Sequence, residues 1–512
     1  MTARNGQGRG VLPVVLLSHR GPAAFRRTSS GLVARRAAGG LVTALTGLAE
    51  HLTDAVWVCA AATEADAFVA AEHEGHPVEI AFDPSPQMVD TDTDPAIPTL
   101  GVRYVEVDPE RHAMFYGAIA NPLLWFVQHG LYGLVTAPEL TAATTRAYED
   151  GYVTVNEQFA SMVADEVDAR DGHAIVLLQD YHFYLVGELV RERCPDAVIS
   201  HFVHIPWPSP DGWRVLPPRM RESMLRGLLG CDVVAFHTPR FARNFLACAQ
   251  EVLGLDVDYR RGTVVVDGRV VYARAYPISV DVDAIEKLAA SEEVASHRAA
   301  LTDLHLGEGR QLVVRVDRTD PSKNIVRGFH AFGQMLDDHP ELIGRVTFLA
   351  SLMPSRQDVP EYADYVALVG AAVAEVNARH HAEGWQAIDL RLHEDLAFTL
   401  AAYQIADALL VNAVNDGMNL VAKEAVLVNE SDGVLVLSEN TGAHEELGPY
   451  ALTVHPFDVG QQADALYRAL TLDAATREHM LRGAAEQVRK HDVRLWLSTQ
   501  LDDLVQIADD RS

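Results

Sequence analysis

The chain has 512 residues, with 42 Lys+Arg against 71 Asp+Glu and a formal charge of −29 at pH 7. Affinity for nucleic acid comes mostly from neutralised phosphates, and no run of basic residues is long enough to overcome so acidic a surface. At 48% hydrophobic and 22% charged, with mean hydropathy +0.01, the composition is that of an ordinary globular protein, and a rule of about 150 residues per domain gives two to four domains.

Cys59, Cys194, Cys231 and Cys248 are far apart and form no CxxC pair. Neither a disulfide framework nor a zinc site is expected, and a reducing cytosol fits. The apolar run ending at Leu17 is short, contains Pro13 and leads into Ser18-His19-Arg20-Gly21 without a small-residue cleavage site. It reads as a first strand rather than a signal peptide. No apolar stretch approaches the ~18 residues of a membrane span, so no membrane partner is expected and the location read from the sequence is cytoplasmic.

Short β-branched runs then alternate with helical periodicity. They are Val14–Leu17, Val56–Cys59, Val102–Val107, Ile175–Leu178, Val198–Phe202 and Val233–Phe236, followed by the hairpin-like 264–271. After a helical segment over about 283–301, a second series follows: Leu312–Val316, Val346–Ala350, Ile388–Leu390, Ala408–Val411 and Val434–Leu437. Continuous apolar strands separated by helices predict parallel sheets covered on both faces, an α/β protein built of two doubly wound, Rossmann-like domains. The boundary falls near 278–282. Apolar residues at Val493, Trp496, Leu497, Leu501, Leu504 and Val505 make one face of a final helix. Ligands of such sheets sit beyond the carboxyl ends of the strands, so the loops after each strand are where chemistry is sought, facing a central cleft.

Arg318 and Lys323 follow the strand at Leu312 across a Pro321 turn that is not expected to be helical, and both can reach one anion; Arg356 follows the next strand. Two solvated surface cations are an equally good reading of the first pair alone. In 415–426, Asp416-Gly417 makes a turn and a helix begins at Asn419, whose free amides suit a phosphate or sugar hydroxyls; Glu424 suits both hydroxyls of a ribose. Lys423 reads as a solvated partner of a glutamate. In the first half, Asp180 and His204 stand at the ends of neighbouring strands, and Gly39-Gly40 opens a helix, where backbone can approach a ligand. Tyr116 and Trp125 read as core aromatics.

Taken in order, Ala38-Gly39-Gly40-Leu41, Tyr116…Asn121…Leu124-Trp125, Asp150–Asn156, Asp180-Tyr181-His182, His204-Ile205-Pro206, Arg318…Ser322-Lys323, Pro354-Ser355-Arg356 and Asp416–Glu424 resemble the trehalose-6-phosphate synthase family, the retaining GT-B transferases of glycosyltransferase family 20. The resemblance spans roughly residues 14–505. It implies an acceptor-binding domain over 1–280, a nucleotide-sugar domain over 281–480, and a terminal helix, 481–512, packed back on the first. It also implies transfer of glucose from an NDP-glucose to glucose 6-phosphate, with no metal and no cofactor; a homo-oligomer is compatible with it.

Residue by residue, the resemblance assigns Arg318 and Lys323 to the donor diphosphate with Gly39 and Gly40 beside it. Glu424 and the Leu420 backbone fall to the donor ribose, Val421 to the donor without a named group, and Asp416, Met418 and Asn419 to the transferred glucose, with His204 near its 6-hydroxyl. Arg20, Tyr116, Trp125 and Arg356 would hold the acceptor phosphate, and Asp180 its sugar hydroxyls. Asp416, His204, Arg318 and Lys323 are the candidate catalytic set. The family's usual residues are replaced at His19, Gln179, Asn324 and Asn415, and GDP-glucose is favoured over UDP-glucose by analogy with members from high-GC bacteria. Two alternatives are a pseudo-glycosyltransferase coupling a GDP-cyclitol to a cyclitol phosphate, and a non-catalytic sugar-phosphate sensor.

Overall fold

A computed structural model describes residues 13–28, 31–36, 54–81, 87–88, 99–357 and 359–511. The chain forms two compact units, Met1–Pro277 together with Arg494–Ser512, and Ile278–Val493.

In the first unit, strands run in the order Arg269–Ala275, Val233–Phe236, Val198–Phe202, Ile175–Gln179, Val14–Leu17, Ala55–Ala60, Thr99–Val105, all parallel. Val14–Leu17 lies mid-sheet with all four residues buried, which is why it reads as an unbroken apolar run. The antiparallel strands Val78–Ala81 and Thr263–Val266 close the two sides, the latter carrying Val257–Asp258. A small antiparallel sheet of Ala23–Thr28, Gly31–Arg36 and Gln87–Met88 accompanies it. Helix Pro239–Leu253 shows how the elements are delimited: Thr238 accepts from the Phe241 amide, Pro239 takes the first turn, and Gly254 ends the helix at φ +68°. Helix Val493–Arg511 joins this unit: Trp496 stands edge-on to Phe202, Tyr276 donates to Asp503 at 2.6 Å, and Arg511 pairs with the buried Asp232.

The second unit holds a parallel sheet in the order Ile388–Leu392, Val346–Met353, Gln311–Arg318, Ala408–Val411, Val434–Ser438, Leu452–Val454. Its core stacks Phe329, Phe332, Met335 and Leu336 of helix Ile325–Asp338 on Val313, Phe348, Leu410 and Val436 of the sheet. The helical segment expected as one piece over 283–301 is two helices, Val282–Ala289 and Glu292–His305, because Ser291 caps the second by accepting from the Val294 amide. The Pro321 turn expected to be non-helical makes one turn of 3-10 helix, Pro321–Lys323, since proline's fixed φ suits a first helical position. No helix among the described residues is long and apolar enough to cross a membrane, and all four cysteines are buried free thiols.

Candidate active site

The parallel strands of each large sheet run outward in two directions from one switch point. In the second unit the reversal lies between Gln311–Arg318 and Ala408–Val411, so the loops after these two strands diverge side by side. They are stitched together: the Val414 amide donates to the Ser322 carbonyl at 2.8 Å, and Asn324, in the left-handed region at φ +58°, donates to the carbonyls of Asn412 and Pro456. This seam brings Lys323 to Asp416, whose Oδ2 accepts from Lys323 Nζ and, at 3.1 Å, from Asn419 Nδ2. Asp416 is itself held by its backbone, which pairs with Asn440 and Gly442. At Gly442 a Cβ would lie 2.0 Å from the Gly417 carbonyl, so only glycine lets the loops meet.

Arg318 and Lys323, expected to converge, are tied to separate carboxylates. Asp320 is fully buried; it accepts from the amide and hydroxyl of Ser322, from Tyr362 at 3.2 Å, and pairs with Arg318 at 3.8 Å and Arg356 at 3.6 Å. Arg356, at φ +45°, also donates to Tyr362 and lies over its ring. Three cations against Asp320 and Asp416 leave one net positive charge at these loops. Beneath them Arg315 pairs with Asp317 and donates to the Lys323 carbonyl, and burial raises the Asp317 carboxyl above its ordinary value against the pull of Arg315.

Asn419, at φ +77°, caps helix Leu420–Val428 by accepting from the Ala422 amide, while the Leu420 and Val421 amides precede the first intrahelical bond. Met418 is buried and Leu420 and Val421 are half-buried. Glu424 makes no hydrogen bond or ion pair among the described residues, and burial lifts its carboxyl to about 7. Lys423, expected to be solvated, is buried instead: it donates to the Ile278 carbonyl at 2.8 Å and pairs with Glu446 at 2.6 Å, because its helix face is turned inward.

In the first unit the reversal lies between Val14–Leu17 and Ile175–Gln179. The adjoining loops meet through rings: His19 stacks on His182 with centroids 4.8 Å apart and on Tyr116 at 4.7 Å, and its Nε2 lies 3.4 Å from His112 Nε2. Burial lowers the His112 pKa. Arg20, next in sequence, is exposed. Tyr116 and Trp125 are linked rather than touching: Asn121 donates to the Tyr116 carbonyl and accepts from Tyr181, which packs on Trp125. Trp125 is buried and stacked on His129. Asp180 sits at φ +71° and ψ 175°, backbone geometry that a side chain seldom adopts and that clusters at functional sites. Its Oδ1 accepts from the His204 amide at 3.3 Å. The His204 ring stacks on Phe202, contacts His237 and Trp496, and its Nε2 meets Gln179 Oε1 at 2.8 Å. Burial, then the neighbouring His237 and His201, push its pKa well below the usual imidazole value. Gly39 and Gly40 lie outside the described residues.

Sequence reasoning passed over Asp320, Tyr362 and the ring stack. Asp320 carried a local signal, since Asp-Pro-Ser is a turn in which the aspartate accepts from the amide two residues on. Tyr362 and His112 carried none, being brought in by distant helices.

Residues 13–506 match the description "Glycosyltransferase family 20". The chain is 31% identical to the alpha,alpha-trehalose-phosphate synthase [UDP-forming] of Botryotinia fuckeliana, over 97% of this chain and 89% of that protein. Among solved structures it superposes on the alpha,alpha-trehalose 6-phosphate synthase of Burkholderia multivorans with TM-score 0.80, 29% identity and coverage of 98% and 97%. It also superposes on the UDP-forming enzyme of Burkholderia xenovorans in complex with glucose-6-phosphate, with TM-score 0.76, 26% identity and coverage of 96% and 99%.

Proposed function

Because this chain belongs to glycosyltransferase family 20 and is a glycosyltransferase of the GT-B fold, we propose that it transfers glucose from UDP-glucose to glucose 6-phosphate with retention, forming α,α-trehalose 6-phosphate. The observation that carries the reading is the Lys323–Asp416–Asn419 cluster at the second unit's strand reversal, inside a chain that matches the family over residues 13–506. The relatives are named UDP-forming, which turns the donor away from the GDP-glucose favoured on sequence and towards UDP-glucose.

In this reading the bond from the anomeric carbon to the diphosphate breaks while the acceptor's anomeric oxygen bonds to that carbon from the same face. The acceptor's proton passes to the departing diphosphate. The protein supplies position and charge rather than a base. Arg318, Lys323 and the amides opening helix Leu420–Val428 neutralise the leaving group, with Gly39 and Gly40 beside it. Asp416, Met418 and Asn419 hold the glucose near His204, and Glu424, Leu420 and Val421 the ribose. Arg20, Tyr116, Trp125 and Arg356 take the acceptor phosphate, and Asp180 its hydroxyls. His204, packed among rings and kept by burial, with His237 and His201, well below the usual imidazole pKa, serves as a hydrogen-bonding group and not as a charged acid.

The test is product formation from glucose 6-phosphate with UDP-, GDP- and ADP-glucose in parallel. Trehalose 6-phosphate made most efficiently from UDP-glucose is expected; no disaccharide phosphate with any donor would end the reading, and a higher kcat/KM with GDP-glucose would reverse the donor.

A further inference from the structure

A neutral imidazole has two tautomers of similar energy in water, and a single hydrogen bond decides between them. At His204 that bond comes from Gln179, the last residue of strand Ile175–Gln179, whose Oε1 faces Nε2 at 2.8 Å. An amide oxygen accepts only, so Nε2 must carry the proton. The other ring nitrogen, Nδ1, makes no hydrogen bond among the described residues, and the ring is half-buried rather than sealed. The plane of the ring is set by Phe202, stacked at 4.4 Å, with His237 at 5.2 Å and Trp496 at 6.3 Å.

We propose that Gln179 is a positioning residue for His204: it holds the ring in the Nε2–H form, so that Nδ1 is a bare acceptor for a hydroxyl of the transferred sugar. This rests on the reading of His204 as a group beside the donor glucose. The chemistry follows from the tautomer. A ring that only accepts favours a sugar bearing an O–H at that place and disfavours one bearing a carboxylate, whose oxygens also only accept. The titratable groups nearest the ring are His237, His201 on the same strand as Phe202, and Asp180, whose carboxylate accepts from the His204 backbone; burial with His237 and His201 outweighs that carboxylate and keeps the ring's pKa low, and the glutamine adds no charge of its own.

The experiment uses the full-length protein labelled with 15N-histidine, the His204 signals being those missing in His204→Asn. A protonated Nε2 and a bare Nδ1 are expected in the native protein, and a mixture of tautomers in Gln179→Met, whose side chain has similar length and no acceptor oxygen. Gln179→Met should lose about tenfold in kcat/KM for UDP-glucose with the KM for glucose 6-phosphate unchanged. Gln179→Glu should keep its activity near pH 8 but gain an acidic limb at about pH 6–7.5, because a carboxylate draws a proton onto the ring and an imidazolium has no acceptor left. A native His204 protonated on Nδ1, an unmoved tautomer in Gln179→Met, or a Gln179→Glu profile that overlays the native one would each overturn the proposal. Absence of any glucosyl transfer by the native protein would fail the functional reading instead, and the nitrogen signals would still judge the role of Gln179.

Discussion

The first unit's sheet turns back between Val14–Leu17 and Ile175–Gln179, the second's between Gln311–Arg318 and Ala408–Val411, and the loops at these two places are built from unlike materials. In the second unit the contacts are ionic: Lys323 on Asp416, Arg318 and Arg356 on Asp320. In the first unit they are rings, with His19, His182 and Tyr116 stacked on one another, and His204 on Phe202. One topology therefore supports two ways of holding a loop. Ion pairs pre-orient charge that an incoming anion can claim, while stacked rings fix shape through packing. In the proposed assignment the ionic loops answer to phosphate, Arg318 and Lys323 to the donor's and Arg356 to the acceptor's, while the ring-built loops answer to sugar through Asp180 and His204.

The comparison breaks most visibly at Asp320. Asp320→Ala removes the buried carboxylate from two arginines at once, and about 3–5 kcal/mol of stability should go with it, read as a lowered urea midpoint. An unchanged midpoint would mean that the second unit does not depend on its ion pairs. Next, Lys323→Ala should cost about 3 kcal/mol of transition-state stabilisation, on the order of a hundredfold or more in kcat/KM. Adding Asp416→Ala should cost far less than the two single losses combined, because the pair acts as one unit; full additivity would argue that the two work separately.

A smaller effect tests Glu424, whose carboxyl burial lifts to about 7 from an ordinary 4.5. A ribose needs the ionised form as acceptor, so donor affinity should rise roughly tenfold from pH 6 to 8 and level off above, and Glu424→Gln should flatten the curve. Stability runs the other way. With the folded pKa raised, this group's contribution is present below about 4.5 and is lost as pH rises through about 7. Smallest as read in KM, Tyr116→Leu should forfeit its stacking on His19, His112 and His182, about 0.5–1.5 kcal/mol for a pair, seen as a several-fold higher KM for glucose 6-phosphate with the donor KM unchanged. A shift in donor KM instead would blur the division between the units.

Strands with both faces covered were legible to the residue: Val198–Phe202, Val233–Phe236 and Ala408–Val411 are bounded as their apolar runs suggest. Short or edge pieces such as Leu452–Val454, Val78–Ala81 and Ala23–Thr28 were not, because three to six residues with mixed exposure carry no period that differs from a loop. At the candidate site the loops were readable from their place after strands and from turn chemistry. The partners were less so. Asp320 with Arg356, Gln179 with His204, and His19 with His112 join residues dozens of positions apart, and no local pattern signals such a pairing. Lys423 shows the converse: a residue inside a diagnostic motif whose side chain is spent on the Ile278 carbonyl and Glu446.

The helix Val493–Arg511 bears on the order in which the protein can be finished. Strands of the first unit leave the ribosome early, yet Trp496 against Phe202, Asp503 on Tyr276 and Arg511 on Asp232 arrive only after all of Ile278–Val493 has been made. The half begun first is thus completed last. During synthesis it waits with an uncovered flank, and its final closure follows the second unit rather than preceding it, contrary to the usual progress of domains from the N-terminus.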